Sequence, residues 1–443
     1  MKKSDLIILS SEEQVELLLW QFDEIERLKK KVLELEKLKK VKKTSKNSSI
    51  PPSKEFKVEK KATEKEKEKH HKEGGRELSS KPDKTYDFKG IKCLECNSEE
   101  INSKLLSSYD KIFLPEIKAE TVRVNVYECV CLKCKKEVKI DVPEHLKSRE
   151  LLSENLKAII MYLHYENYVS YERIKKYFKD IYEIEISEGL IDSVIKSSSS
   201  ILKEKADEIK KEIKNSALVC SDETSARVKG KTWWQWVFQN SKYTYHVIEK
   251  TRGSIVKENI FGDNHPSIYV SDAFSAQLVG IKEWQVCLAH QIRDCNYLID
   301  LDKNEFAIKM KELFQESIKE KDSSLILKKQ KKVDFLLRLE EILKIQTASN
   351  SEIKLRNRFS KFKDNLFKFL DYDNVPPTNN SSEQALRPSV IFRKVTNGFR
   401  SEIGKDIFAN FRTVVDTAKK QCEPIFKTIV GLFLYNKKET ITI

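Results

Sequence analysis

Residues 217–222 read ALVCSD and residues 267–272 read SIYVSD, so two short apolar runs each end in Ser-Asp. Runs of this length and composition predict buried strands. Aromatic and β-branched runs predict three further strands, at 232–239, 243–248 and 284–288. A helix at 255–261 and a short helix before the last strand interrupt the series. The predicted order is three strands, a helix, a strand, a helix and a strand, which is that of a ribonuclease H-like α/β sheet.

Acidic side chains follow two of these predicted strands. Asp222 and Asp272 each come at the carboxyl end of an apolar strand, where open α/β sheets bind their ligands. Two carboxylates brought together there raise each other's pKa unless a divalent cation lies between them. Enzymes of phosphoryl transfer hold two Mg²⁺ ions about 3.5–4 Å apart in this way. Glu383, which opens a predicted helix after Pro376-Pro377, is the candidate for a third carboxylate.

Composition sets the broad class of the protein. The chain has 443 residues, of which 39% are hydrophobic, and carries a net charge of +14. This length predicts about two to three domains, and the sequence has no apolar run of the roughly 18 residues that a membrane span needs. Nine cysteines are too few for a disulfide scaffold, so we expect a cytoplasmic protein. The charge suggests a polyanionic partner, although residues 39–73, a solvated tail, carry half of it.

The N-terminal region divides into a helix and a charged segment. Residues 11–40 carry apolar side chains at heptad spacing: Leu18, Ile25, Leu28, Val32 and Leu35. This pattern predicts a short coiled coil and a homo-oligomer, most simply a dimer. The alternative is a single amphipathic helix packed on its own chain. Residues 41–88 are rich in Lys, Glu and Ser and predict a disordered basic linker.

Cysteine pairs mark a small module at residues 89–146. It holds two CxxC pairs, Cys93 with Cys96 and Cys131 with Cys134. Four thiolates on two such turns suit a structural Zn²⁺ in a zinc-ribbon-like fold. Cys129 could replace Cys131 as a ligand, and a redox pair or inert thiols are the alternatives.

Residues 147–212 have helical spacing. Two helices are predicted within them, at 171–178 and 189–195. Most such pairs are ordinary helix packing, and a helix-turn-helix that would bind DNA is the alternative. Ser187 is the expected N-cap of the second helix, with Glu188 in its first turn.

The sequence therefore predicts a multidomain α/β protein. Its predicted parts are a coiled coil (11–40), a linker (41–88), a zinc module (89–146), a helical region that is a candidate for DNA binding (147–212), a ribonuclease H-like α/β domain (213–420) that contains a helical stretch (291–372), and a C-terminal helical tail (421–443). Residues 406–436 are predicted to be helical with an interruption at Pro424.

Several blocks of sequence are similar to one known family. They are NSSIPPS (47–53), SDET (221–224) followed by Trp233, Trp234 and Trp236, VSDA (270–273), CLAHQIR (287–293), and VPPTNNSSEQALRP (375–388) followed by Arg393, Lys394, Gly398, Arg400 and Ser401. In these blocks the chain resembles the large catalytic subunit of bacterial DDE transposases of the insertion-sequence-66 family. The last block is the most specific. Ile50 stands where the family usually has Lys, and Ser382 where it usually has Ala.

The resemblance implies a site and a reaction. Asp222, Asp272 and Glu383 would be the catalytic triad and would bind Mg²⁺ or Mn²⁺, with two ions expected. Residues 213–420 would be the catalytic domain, and the helical stretch 291–372 would be an insertion between Asp272 and Glu383. The reaction would be hydrolysis of a phosphodiester at the element end, followed by attack of the freed 3′-hydroxyl on target DNA. The coiled coil and the zinc module would serve assembly and end recognition, small accessory proteins of the same element would be partners, and the location would be the bacterial nucleoid.

Basic and polar residues near the expected triad leave alternatives open. Arg387, Arg393, Lys394 and Arg400 would contact the DNA backbone or form surface ion pairs. His290 would hold the active-site helix or contact a phosphate, or else be a structural histidine beside Cys287 in the core. The three tryptophans are expected to pack in the sheet, and Asn379 and Asn380 to cap the glutamate helix.

Two other functions compete with transposition. A non-catalytic or regulatory DNA-binding protein would need only the zinc module, the helix-turn-helix and the coiled coil. A ribonuclease H-like nuclease without strand transfer would need the acids but not a paired-end complex.

Overall fold

The computed structural model describes residues 11–40, 44, 46–48, 78–92, 94–114, 117, 119–143, 146, 150–345 and 350–439. The chain forms two compact units. The first holds Met1–Phe56, Val126–Lys176 and Ile186–Ile443, and the second holds Lys57–Asn125 and Tyr177–Glu185. Most of the predicted linker at 41–88, including Ile50, lies outside the described residues.

The N-terminal part is helical, as the sequence predicts. Helix α1 spans Ser11–Lys40 and begins at the expected residue. Its apolar residues Ile25, Leu28 and Val32 are exposed in the single chain, and the side chains of Leu18 and Leu35 lie outside the described residues. The next helices are α2 (Glu154–Met161), α3 (Tyr171–Tyr182), α4 (Glu188–Ser197) and α5 (Ser199–Lys214).

The predicted cap of α4 is confirmed. Ser187 is its N-cap, and the Ser187 hydroxyl accepts a hydrogen bond of 3.1 Å from the backbone N–H of Leu190. The bond satisfies one of the first N–H groups of the helix, which have no partner within it.

A five-stranded mixed sheet follows. Its strands are β1 (Leu218–Val228), β2 (Lys231–Gln239), β3 (Thr244–Glu249), β4 (Ile268–Ser271) and β5 (Trp284–Val286). The spatial order is β3-β2-β1-β4-β5. Strands β1, β2 and β3 pair antiparallel, whereas β1, β4 and β5 pair parallel. Helix α6 (Ile255–Phe261) connects β3 to β4, and helix α7 (Ser275–Leu278) connects β4 to β5. This confirms the predicted sequence of elements.

Strand β1 is longer than the sequence predicts. Asp222 does not end the strand, because residues 220–228 pair with β2 in a hairpin. Lys229 and Gly230 close the hairpin with positive φ angles of 49° and 74°, which suit a two-residue turn. The parallel pairing of β1 with β4, however, ends at Cys220. Asp222 therefore lies just beyond the carboxyl end of the parallel part of the sheet.

Helices make up most of the remaining chain. They are α8 (Leu288–Asp302), α9 (Glu305–Lys319), α10 (Leu325–Leu343), α11 (Asn350–Lys361), α12 (Lys363–Leu366), α13 (Asn380–Thr396), α14 (Glu402–Lys420) and α15 (Ile425–Glu439). The predicted helical character of 291–372 is confirmed, although its first helix begins earlier, at Leu288. The predicted break at Pro424 is confirmed as well. No helix in the described ranges is long and apolar enough to cross a bilayer.

A buried polar network fixes α14 against the sheet. Arg412 of α14 forms ion pairs with Asp416 and, at 2.6 Å, with Glu166. Asp416 also lies 3.0 Å from Nε2 of His246 on β3. Because each buried charge has an opposite charge beside it, the network is satisfied, and removing one partner would be strongly destabilising.

Candidate active site

Asp222 and Asp272 come from two neighbouring parallel strands. The register pairs Cys220 of β1 with Val270 of β4, and each aspartate follows its paired residue by two positions. The two carboxylates are therefore at the same level of the sheet. Asp222 Oδ1 accepts a hydrogen bond of 2.8 Å from the backbone N–H of Glu223.

The two aspartates repel each other in a largely buried place. Burial raises the pKa of Asp222 well above its usual range, and the Asp272 and Glu223 carboxylates raise it further. Burial also raises the pKa of Asp272, against the lowering effect of His290. Among the described residues, no group makes a well-aligned hydrogen bond to the buried Asp272 Oδ1, although His290 Nδ1 lies 3.2 Å from it. A divalent cation fits this place, because it would neutralise the pair and because carboxylate oxygens are ligands of Mg²⁺ and Mn²⁺.

The first turn of α13 brings Glu383 to the same place. Asn379 is the N-cap residue of α13, but its side chain makes no capping hydrogen bond, contrary to the expectation for this residue. Its Nδ2 instead donates to the backbone oxygen of Ser221 on β1, at 2.6 Å. Its backbone N–H donates to the Cys287 sulfur at 3.1 Å. The asparagine therefore joins the start of α13 to the residue that precedes Asp222.

Strand β2 holds the same helix from the other side. Nε2 of the buried Gln239 donates to the hydroxyls of Ser381 at 3.1 Å and Ser382 at 2.8 Å. Ser382 stands directly before Glu383, where the resembling family usually has Ala. This departure thus adds a hydrogen bond that fixes the glutamate-bearing turn.

Helix α8 places two basic side chains between the carboxylates. His290 Nδ1 lies 3.2 Å from Asp272 Oδ1, and His290 Nε2 lies 3.7 Å from Glu383 Oε1. Arg293 Nη2 donates to both Glu383 oxygens, at 2.9 and 3.1 Å. Arg293 Nη1 also lies 3.1 Å from His290 Nε2. His290 therefore lies beside two of the carboxylates, and its role in holding the helix, contacting a phosphate or packing as a structural histidine stays a prediction.

Cys287 lies in the core beside this group. Its sulfur, Asp272 and His290 offer three donor atoms within 4.8 Å of one another, and they are the one such group among the described residues. Burial raises the pKa of Cys287 to about 12, so its sulfur is a thiol in the metal-free protein. Asp222 and Glu383 lie outside this group.

Comparison with known proteins identifies the family of the chain. The family model described as Transposase IS66 family matches residues 149–406, which is more than half of the chain and includes all three acids. The chain belongs to the IS66 transposase family. Its members are DNA transposases, so DNA is the partner, and DDE transposases generally use divalent metal ions. No curated protein matches the chain in a direct sequence search.

The glycine of the last family block has a clear structural reason. Gly398 follows α13 with a φ of 103°, and a Cβ atom there would lie 2.5 Å from the backbone oxygen of Arg227. The next residue, Phe399, donates its backbone N–H to that same oxygen at 2.8 Å. The chain thus needs glycine where the segment after α13 meets the β1–β2 hairpin.

A further acidic residue near the site, Glu223, and its cationic partner, Arg252, were not identified from the sequence. The buried Glu223 accepts hydrogen bonds from Arg252 Nε at 2.9 Å and Arg252 Nη2 at 2.6 Å, and from Gln277. The Arg252 guanidinium lies 4.8 Å from the ring of Trp234 and 3.9 Å from that of Phe274. Arg252 therefore connects the residue after Asp222 with a residue two positions after Asp272. The adjacent Asp-Glu pair at 222–223 was the one signal in the sequence.

The four basic residues expected to contact DNA differ in their surroundings. Arg393 donates to the backbone oxygen and the hydroxyl of Ser225 on β1, so its guanidinium is engaged within the protein. Arg387, Lys394 and Arg400 are exposed. Exposed basic residues beside the hairpin, at Arg227, Lys229 and Lys231, were not predicted.

The cysteine module is described in part. Cys93 lies outside the described residues, and Cys96, Cys129, Cys131 and Cys134 are free thiols. Residues 131–136 form a tight turn, in which Lys135 donates its backbone N–H to the Cys131 oxygen at 2.8 Å. The backbone N–H of Cys134 lowers the pKa of Cys131, which favours the thiolate that a metal would bind.

Proposed function

We propose that this chain is the catalytic transposase of an insertion sequence. It would hydrolyse a phosphodiester at each element end and join the freed 3′-hydroxyl to target DNA. The main support for this proposal is that Asp222 and Asp272 follow paired positions of two adjacent parallel strands, so that they lie at the same height in the sheet. The first turn of α13 supplies Glu383. The strand order β3-β2-β1-β4-β5 supports a ribonuclease H-like core.

The triad would hold the metal, and its neighbours would position the triad. When bound at Asp222, Asp272 and Glu383, two divalent cations would supply activation of the attacking oxygen and stabilisation of the leaving oxygen. Asn379 and Gln239 fix the turn that carries Glu383. Arg293 keeps positive charge beside the Glu383 carboxylate, which limits the repulsion among the carboxylates until DNA and metal arrive, and His290 lies between Asp272 and Glu383. Positioning and charge neutralisation would provide most of the catalysis.

Exposed basic residues would bind the DNA backbone near this site. Arg387 lies four residues after Glu383 and Lys394 eleven residues after it, so all three share one face of α13. Arg400 follows in the segment that contacts the β1–β2 hairpin. Contacts of this kind fix the register of DNA and carry no sequence information.

The N-terminal modules would serve assembly. We propose that α1 forms a coiled-coil homodimer, since its described apolar heptad residues are exposed in the single chain. Cys93, Cys96, Cys131 and Cys134 would bind a structural Zn²⁺. Loss of one zinc per chain in Cys131→Ser, with zinc retained in Cys129→Ser, would identify the ligand. Accessory proteins of the element would be further partners, and the site of action would be DNA of the bacterial nucleoid.

The experiment that tests the reaction is cleavage and joining of DNA that carries the element ends. It compares wild type with Asp272→Asn and Glu383→Gln in Mg²⁺ or Mn²⁺. Glu402→Gln at the exposed start of α14 is the matched control. We expect 3′ cleavage and joining in wild type and the control, and at least a ~1000-fold loss in the triad variants, since each removes a charge from the metal site.

Other results would favour the competing functions. Binding to the ends without cleavage, unchanged by either substitution, would indicate a regulatory DNA-binding protein. Cleavage without joining would indicate a nuclease. Cleavage that survives Glu383→Gln would show that another residue supplies the third carboxylate.

A further inference from the structure

The NSSIPPS block at 47–53 has no role in the proposed reaction, yet the described part of it is held in place. Asn47 is only 3% exposed. Its Oδ1 accepts a hydrogen bond of 2.7 Å from the backbone N–H of Thr44, and the Ser48 hydroxyl donates to the Thr44 oxygen at 2.6 Å. Residues 44 and 46–48 thus form a closed turn, which we call the Asn47 turn.

The Asn47 turn lies on helix α8. Asn47 Nδ2 donates to Asp300 Oδ2 at 2.8 Å, and Asn296 Nδ2 donates to the backbone oxygen of Lys46 at 2.8 Å. Helix α1, which precedes the turn in the chain, packs against α8 as well. Two successive N-terminal elements therefore contact the same helix.

The face of α8 that receives the turn also leads to the active site. Asn296 and Asp300 lie three and seven residues after Arg293, and this spacing places all three side chains on one face of a helix. Arg293 and Asp300 are about 10 Å apart along the axis, at ~1.5 Å per residue. Arg293 holds both carboxylate oxygens of Glu383. A shift of α8 would consequently move the partner of Glu383.

We propose that the Asn47 turn is a docking element that fixes α8 and, through Arg293, the Glu383 carboxylate. Asn47 and Asp300 are then positioning residues, and the block links the N-terminal assembly region to the active site. The inference rests on the proposed function only for its effect on cleavage. The docking itself is independent of it.

The chemistry of the contact explains why asparagine occupies this position. Its amide accepts from Thr44 and donates to Asp300 at the same time. An aspartate at position 47 would still accept the hydrogen bond from the Thr44 N–H, but its carboxylate would repel that of Asp300. Exchanging the two partners would restore an amide–carboxylate hydrogen bond.

The test uses the full chain and this exchange. Asn47→Asp is compared with wild type, with the double variant Asn47→Asp/Asp300→Asn, and with Asn102→Asp as a control for added charge at an exposed position. Amide hydrogen exchange is followed in α8 and in residues 380–386 in metal-free buffer. Cleavage of end DNA is measured in Mg²⁺.

We expect Asn47→Asp to raise exchange in both segments by about tenfold, in proportion to the loss of a hydrogen bond to a charged group. Cleavage should fall with it. The double variant should recover both properties, and the control should resemble wild type. Unchanged exchange, a change confined to α8, or failure of the double variant to recover would each overturn the proposal. If the wild type does not cleave, the proposed function is refuted. The hydrogen-exchange comparison then still decides whether the Asn47 turn fixes α8 and residues 380–386.

Discussion

Arg293 of α8 donates hydrogen bonds to both carboxylate oxygens of Glu383, at 2.9 and 3.1 Å, across 90 positions of sequence. The pair joins the helix after β5 to the helix that supplies the third acid. Both side chains are about one quarter exposed, so the charges are only partly solvated. Loss of the guanidinium would therefore affect both the charge and the position of Glu383.

Arg293→Gln should lower the rate of end cleavage by about tenfold, because a hydrogen bond to a charged group contributes roughly 1.5 kcal/mol or more. The free energy of unfolding should fall by only about 1 kcal/mol, since water partly replaces the lost pair. Arg358→Gln is the control, because Arg358 pairs with Asp294 of the same helix. Equal cleavage rates in both variants would contradict this role of Arg293.

Asp222→Asn should stabilise the metal-free protein at neutral pH while it abolishes cleavage. The folded pKa of Asp222 lies above its unfolded value, so the folded state binds more protons and loses stability as pH rises from about 4 through the folded pKa. The amide removes this cost, and each kcal/mol gained raises Tm by about 2 °C. Calorimetric scans across pH test this. The gain should disappear below pH ~4, and a lower Tm at neutral pH would contradict the account.

In Arg252→Ala, the rise of the cleavage rate at the acidic end of its pH dependence, the acid limb, should shift to higher pH. Arg252 lowers the pKa of Glu223 and of Asp272, so without it these carboxylates ionise later as pH rises. The measurement is the cleavage rate as a function of pH in Mg²⁺. Lys250→Ala removes an exposed cation near Trp233 and serves as the control. A uniform drop in rate with no shift of the limb would show that Arg252 acts through packing alone.

Gly398→Ala should destabilise the fold by about 2–4 kcal/mol, because the new Cβ meets backbone at 2.5 Å and the φ of 103° is unfavourable for alanine. Gly431→Ala on α15 is the matched control, since nothing lies within 4 Å of its Cβ. That change should stabilise by roughly 0.5–1 kcal/mol through helix propensity. Denaturant unfolding of both variants gives the comparison, and similar stabilities would argue against the close approach at Arg227.

Local patterns predicted the elements of this fold well. Hydrophobic runs gave the five strands in order, and the Ser187 cap and the break at Pro424 depend on residues that act within a turn or two. The predicted end of β1 was wrong, because the residues after Asp222 continue the strand by pairing with β2. Pairing between strands decided that boundary, and no local pattern records it.

The candidate site divides in the same way. The three acids could be predicted from strand ends and from the resemblance, since each is marked by its own segment. The expected capping hydrogen bond of Asn379 was wrong, because its side chain bonds instead to Ser221, on a strand 158 positions away in the sequence. Arg252 was missed for the same reason, since its partners Glu223 and Phe274 lie on other elements. Contacts between distant segments determine such roles.

The most direct test of the central claim is the ratio of cleavage rates in Mn²⁺ and Mg²⁺ for Asp222→Cys. A thiolate is a poor ligand of Mg²⁺ but binds the softer Mn²⁺ better. If Asp222 binds the catalytic metal, the variant should be inactive in Mg²⁺ and regain part of its activity in Mn²⁺, so that the ratio rises well above that of wild type. Activity in Mg²⁺ equal to that of wild type, or an unchanged ratio, would contradict the claim.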